Sequence, residues 1–302
     1  MSRLFSFCLS LALCVPAIHD VQASAKATPC ASSRRAKKAT PKDIAEKHWA
    51  KRGTQEELEK ALAIYKELVE KDPKDATSLT RLSRGYYLMG DGHCRKSGQP
   101  IEKMRDYWKT GWEYGIQAVY ALAPEFKKEI DGGKKAEEVV SLVPQSAKLA
   151  LYWYAVNLGK WAKAKDFTTL LFYKSHIYGV MTRVLEIDEK FLHGAPHRYF
   201  GAYYAIAPGF AGGSTSKSNE HFLKALKISP DYLGTKVLMA DTLYRKTEDQ
   251  KNFNKVLVEV RDSKVNLAGL GPELEFEKFK AGLLLEEEED IFGFGDDDDW
   301  DD

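Results

Sequence analysis

Residues 218–230 read SNEHFLKALKISP, with a small residue at Ser218, an aromatic at Phe222, a small residue at Ala225 and a proline at Pro230. Offsets of four, three and five keep these positions on one face of a helix, which the proline then ends. This is the pattern of the second helix in a tetratricopeptide-type repeat. The spacing recurs at Ala61, Tyr65, Leu68 and Pro73, and again at Trp112, Ile116, Val119 and Pro124. A further copy, Ile177, Met181, Val184 and Glu189, lacks the proline. In three copies an aromatic stands two residues past the terminator, at Phe126, Phe191 and Tyr232. The anchors lie 51, 65 and 41 residues apart, where regular repeats give about 34, so the repeats are degenerate and carry insertions.

First helices are predicted over 42–52, 76–90, 146–163, 196–206 and 232–246. Residues 248–262 complete a fifth pair, and Pro272 to Glu287 reads as a capping helix. No stretch alternates polar and apolar residues between hairpin signals, so no sheet is expected. The fold class read from the chain is all-α: degenerate tetratricopeptide-like helical repeats stacked in a superhelix over residues 43–285. Such pairs cannot bury their apolar faces alone. They stack and leave a concave surface, the default functional site.

The flanks read differently. Of 302 residues, 44% are hydrophobic and 29% charged, which excludes a disordered chain. The formal charge of +1 hides an asymmetry. Eleven acids and no base fall within 286–302, leaving the body at about +12 once the leader is also set aside. Residues 286–302 therefore read as an acidic disordered tail, with Phe292, Phe294 and Trp300 available as a short contact motif. The body's lysines are scattered without interleaved aromatics, so no nucleic-acid partner is expected. Residues 1–25 read as a signal peptide: Arg3, then an apolar run from Leu4 to Ile18, then Val21-Gln22-Ala23 and Ala23-Ser24-Ala25 as cleavage sites. A lipoprotein reading at Leu11-Ala12-Leu13-Cys14 ranks second because Leu13 is bulky where a small residue is needed. Residues 26–42 form a basic flexible linker. The predicted location is periplasmic, where Cys30 and Cys94 either pair or stay apart.

No arrangement of nucleophile, base and orienting group stands out, so the chain is not read as an enzyme and no cofactor or metal is assigned. His193 and His197 have i, i+4 spacing, and His221 is the only obvious third ligand. Gly194 and Pro196 between them argue that His193 precedes the helix, which favours ordinary hydrogen-bonded histidines. The segment from Pro208 to Ser218 leads into a helix and reads as a tight loop with a Ser or Thr cap, or less well as an anion-binding turn. Aromatics crowd three helices: Trp108 and Trp112; Tyr152, Trp153, Tyr154 and Trp161; Tyr199, Phe200, Tyr203 and Tyr204. Consecutive aromatics point in different directions around a helix, so some must face a groove or a partner.

Several short motifs occur together in the middle of the chain. They are ALYWYA at 150–155 with NLGKW at 157–161, Gly194-x-Pro196-His197-Arg198 with GAYY at 201–204, and Pro208-x-Phe210-x-Gly212-Gly213 with Lys217-Ser218-x2-His221-Phe222. In this order they resemble the TatT component family, the tetratricopeptide-like periplasmic partners of TRAP transporters. The resemblance spans about residues 55–287. It implies an exported helical protein that binds the extracytoplasmic solute-binding protein of a TRAP transporter and helps an apolar or organic-acid ligand reach it. On that reading Tyr152, Trp153, Trp161 and Tyr204 are contact aromatics. His197, Arg198 and Lys217 supply polar or anion contacts, and Gly212 and Gly213 shape the loop. The alternative is a general cell-envelope scaffold without a small-molecule role. Stacked repeats can also self-associate through their ends, so a homo-oligomer is a further expectation.

Overall fold

The structure, a computed structural model, describes residues 39–293. The expected leader, most of the linker, Cys30, Phe294 and Trp300 lie outside the described residues. Among the described residues every regular element is helical. The order is α1 (Pro41–Ala50), α2 (Gln55–Lys71), α3 (Ala76–Leu88), α4 (Ile101–Leu122), α5 (Pro124–Asp131), α6 (Ala136–Val139) and α7 (Lys148–Lys165). Then come α8 (Phe167–Ile187), α9 (Phe191–Ile206), α10 (Thr215–Ile228), α11 (Leu233–Met239), α12 (Gln250–Arg261), α13 (Gly271–Glu286) and α14 (Glu288–Phe292). None of these helices is long and apolar enough to cross a membrane.

Helix starts are set by short polar caps. Thr40 and Asp43 form a capping box at α1, and Asp75, Asp166, Ser214 and Asp249 each accept from backbone N–H groups at the starts of α3, α8, α10 and α12. The repeat positions then dock each second helix. Ser218, Phe222 and Ala225 are all buried. Ser218 Oγ donates to Gly201 O (2.7 Å), and a Cβ at Gly201 would come within 2.8 Å of the Phe222 ring. The small residue thus lets α9 and α10 approach. Ile177, Met181 and Val184 are likewise buried, so the copy without proline also packs inward.

The irregular spacing has two structural sources. The first is the 22-residue α4, preceded by a π turn over Met89–Cys94. The second is the insertion of α5, α6 and two 3-10 turns between α4 and α7. The π turn has a twin at Ala240–Tyr244, ending α11. The two share a motif that the helix periodicity had not exposed: LMGDGHCRKS at 88–97 and LMADTLYRKT at 238–247. In both, the Asp pairs with the Arg four residues on, and the hydroxyl that follows donates back into the turn. A left-handed residue then closes it, Gly98 in one copy and Glu248 in the other.

Two expectations are corrected. The segment 272–287 was expected to cap one end, yet α13 joins both ends. It packs Leu274 and Ala281 with Phe253, Leu257 and Val260 of the C-terminal cluster, while Phe276 lies in the cluster of α1–α3. Its Glu273 and Lys280 reach Arg52, Arg84 and Asp91, and Phe276 packs against His93. The acidic tail was expected to be disordered from residue 286, yet Glu288–Phe292 is a short helix. Phe292 packs edge-on against Phe253 (5.0 Å), and Glu288 accepts from Gln250 and Asn254. The run of like charges is tolerated because its apolar side has somewhere to go.

Candidate functional site

The inner faces of α3, α7, α9 and the start of α11 meet α13 in a polar interior. The π turn brings Asp91 into it. The Asp91 carboxylate accepts from Tyr87 Oη (3.0 Å), Lys160 Nζ (2.6 Å) and Lys280 Nζ (3.1 Å), with Arg95 at 3.7 Å. Burial alone would raise its pKa, but Lys160, Lys280 and Arg95 hold it well below the usual carboxylate range. Lys280 also pairs with Glu277 (2.6 Å). Glu273 receives both Arg52 and Arg84, each at 2.6 Å. Burial opposes its ionisation, yet those two guanidiniums keep its pKa lowered.

Around these ions stands a ring of aromatics. Tyr87 and Tyr152 lie 5.2 and 5.0 Å from Trp153, Phe191 lies 5.6 Å from Tyr152, and the Arg84 guanidinium sits 5.5 Å from the Trp153 ring. Arg198 sits 4.2 Å over Tyr232 and beside Tyr152. Burial pushes the Tyr232 hydroxyl up to about 12 and raises Tyr152, the latter opposed by Arg198. Tyr87, Tyr152, Tyr232 and Lys280 are each half-buried. With the ions between them they form one polar, aromatic-lined interior, the chamber.

Three of the nine sequence-predicted site residues, Tyr152, Trp153 and Arg198, meet in this chamber. Arg198 also has a structural task. Its Nη1 and Nη2 donate to His193 O and Leu192 O, holding the left-handed turn of Leu192, His193 and Gly194 that opens α9. His197 faces elsewhere: its Nδ1 lies 3.0 Å from His221 Nδ1, and its Nε2 is 3.6 Å from Glu189. Burial and His197 lower the His221 pKa to about 4. His193 bonds Ser229 instead and stacks on Tyr232, so the three histidines do not converge. Among the described residues no group of three or more His, Cys, Asp or Glu is placed to hold a metal ion.

Tyr204 and Lys217 adjoin the His197 and His221 pair, with the Tyr204 ring 5.6 Å from His221. Lys217 Nζ lies 5.4 Å over the Tyr204 ring, and the Tyr204 and Tyr178 hydroxyls are 3.3 Å apart. The adjoining loop is tight. Gly212 has φ of 88°, and a Cβ on Gly213 would fall 1.8 Å from Ala207 O. Its amides are already committed, since Gly213 N donates to Pro208 O and Ser214 N to Tyr204 O. Ser214 caps α10 by accepting from Lys217 N. Trp161 is separate again, between Trp112 and Tyr173 at 5.8 Å from each. Cys94 is buried with Met104 and Trp108.

Two surface features adjoin the loop. A cleft of about 520 Å³ runs along α8, with Lys174, Tyr178, Thr182 and Tyr203 on one side and Glu137 and Glu138 on the other. Lys174 also donates to Ala211 O in the loop. At the start of α8 and in the loop, large apolar side chains stand in solvent: Phe172 is 78% exposed and Phe210 87%, with Phe167, Leu171 and Ile206 also exposed.

Sequence reasoning missed Arg84, Asp91, Lys160, Glu273, Glu277 and Lys280. The signal for Asp91 was the repeated Leu-Met-small-Asp motif. Tyr232 and Phe191 were flagged only as aromatics past a terminator, and both border the chamber.

No curated protein matches the chain. The sequence profile of the TRAP transporter T-component family, in contrast, matches residues 54–292, a span that runs from the start of α2 to the end of α14 and contains the residues of the chamber except Arg52, so the chain belongs to that family and is a transporter component.

Proposed function

We propose that the protein is a periplasmic adaptor of a TRAP-type transporter. It docks the transporter's extracytoplasmic solute-binding protein and holds a small apolar or organic-acid ligand in its interior, with no covalent chemistry. The observation that carries the docking part is the cluster of exposed side chains Phe167, Leu171, Phe172, Ile206 and Phe210. Aromatics standing in solvent beside a cleft are costly to leave wet and are the residue types that anchor protein interfaces. On this reading the polar interior beside α13 is the ligand side, so partner and ligand are served by different surfaces.

The test is affinity capture from periplasmic extract on the exported chain, residues 26–302, followed by mass spectrometry. A solute-binding protein is expected among the captured proteins. The double variant Phe172→Ser, Phe210→Ser is expected to lose it by tenfold or more, with its melting temperature unchanged. Capture of only unrelated envelope proteins would favour the scaffold reading instead.

A further inference from the structure

We infer that the acidic segment 294–302 docks on a basic surface of its own chain, formed by the end of α7 and the two π turns. The first observation is that surface. Arg95, just after the first turn, lies 3.7 Å from Asp91, whose carboxylate also takes Lys160 of α7 at 2.6 Å. Arg245, just after the second turn, lies 2.9 Å from Asp241. Lys163, one helical turn beyond Lys160, stands where the charges of Asp241, Lys160, Arg245 and Arg95 all act on it. Four cations thus share two carboxylates, and Asp91 is shared again with Lys280. Lys163 and Arg245 are exposed, and Arg95 and Lys160 are half-buried, so the surplus of positive charge faces solvent. Desolvation and then Lys160, Arg245 and Arg95 lower the Lys163 pKa against the pull of Asp241. Arg95 Nε, moreover, is buried with no acceptor among the described residues. A place short of negative charge and of an acceptor suits a carboxylate-rich occupant.

The second observation is where α14 delivers the chain. Phe292, its last residue, packs in the C-terminal apolar cluster together with Tyr244, the residue before Arg245. Residues 294–302 follow Gly293 and carry six aspartates and no base. Fully extended, they span about 30 Å, enough to pass from Phe292 by way of Tyr244 to Arg245 and the cations beside it. So short a tether holds the acids at a local concentration of about a millimolar, at which weak ion pairs suffice. Lys251 and Lys255 on α12 are also close to this cluster, but they are exposed single charges, and such pairs contribute little. Four cations around one point attract a run of like charges together. Docked there, the segment occupies a surface that an acidic partner would otherwise take.

Carbodiimide crosslinking of the full chain, as an equal mixture of isotope-labelled and unlabelled protein read by mass spectrometry, tests this. Crosslinks within one chain are expected from the aspartates of 296–302 to Lys163 and Lys160, falling about tenfold when salt is raised to about 0.5 M. The variant carrying Asp296→Asn, Asp297→Asn, Asp298→Asn and Asp299→Asn keeps Asp301 and Asp302 as reactive groups and is expected to lose those crosslinks by a similar factor. In the same variant Lys163 is expected to be acetylated at least about threefold faster than in the parent, with Lys251 unchanged, and thermal melts establish that the variant folds. Crosslinks chiefly to Lys251, Lys255 or lysines scattered over the chain would overturn the inference, as would none from the segment at all. Crosslinks joining labelled to unlabelled chains would move the segment onto a second copy and overturn it too, and so would equal acetylation of Lys163 in the two proteins. None of these readouts depends on a ligand or on a solute-binding protein, so they stand or fall separately from the proposed function.

Discussion

His221 and Arg198 show how single side chains on α9 and α10 carry more than one constraint. The His221 ring lies against Phe200 and Tyr204, at 5.3 and 5.6 Å, with the His197 nitrogen 3.0 Å away. Both rings cannot be protonated there. The His221 pKa of about 4 lies below its ordinary 6.5, so the unfolded chain binds the proton first and folding stability falls as pH drops from 6.5 towards 4. After allowance for the half-exposed ring, the loss is about 1 to 2 kcal/mol. Urea unfolding at pH 7 and pH 5 should show this difference, and His221→Gln, which does not titrate, should shrink it. An unchanged difference would assign the acid sensitivity to His93, His176, His193 and His197, whose pKa values burial also lowers. Arg198 was read from sequence as an anion contact, and it does border the chamber. That it also clamps three consecutive left-handed residues was not readable, because backbone angles at Leu192 and His193 leave no trace in composition.

Helices α4 and α7 illustrate the next scale. They cross closely at Gly111 and Gly115: a Cβ on Gly115 would stand 2.7 Å from Tyr154 Cα, and one on Gly111 2.5 Å from Asn157 Oδ1. Asn157 in turn donates to Ser83 O and Trp153 O, tying α7 to α3. Gly115→Ala therefore meets backbone, which no rotamer change relieves, and should cost about 2 to 3 kcal/mol. Gly282→Ala on α13 meets open space and should gain about 0.5 to 1 kcal/mol by propensity. Urea midpoints of the two variants moving in the same direction would refute this account. The helix pairs themselves were legible because period and terminator repeat along the chain, and α1–α4 and α7–α12 start or end within a few residues of the predicted positions. What could not be read was which helix fills the inner face. Leu274, Phe276 and Ala281 of α13 spread around its circumference, so its sequence resembles an end cap while it is in fact wedged between two ends. The chamber was half legible for the same reason: Tyr152, Trp153 and Arg198 sit in conspicuous motifs, whereas Glu273, Glu277 and Lys280 look like ordinary surface charges on a helix.

For the molecule as a whole, α13 couples the first helices to the last through one carboxylate. Glu273 holds Arg52, from the turn after α1, and Arg84, from α3, while Lys280 two turns on reaches Asp91. Removing the Glu273 charge strands two enclosed guanidiniums beside each other, and breaking such a pair costs about 3 to 5 kcal/mol. Glu273→Gln should therefore lower the urea midpoint markedly, and the loss should be uneven. Hydrogen exchange should quicken along α13 and α14 while amides of α4 and α7 stay protected, because the latter belong to the central cluster, to which α13 contributes no apolar side chain. The pH dependence has a definite sign. Glu273 and Asp91 both have folded pKa values below their ordinary ones, so their contribution is present above pH 4 to 4.5 and is lost as pH falls through the lowered values. In Glu273→Gln that acid-side loss should be smaller than in the parent chain. A variant whose stability drops by less than about 1 kcal/mol, with exchange along α13 unchanged, would mean that apolar packing of Leu274 and Phe276 alone holds the helix. The chamber would then be closed by shape and not by charge, and the six surrounding cations would have to be explained without reference to the closure.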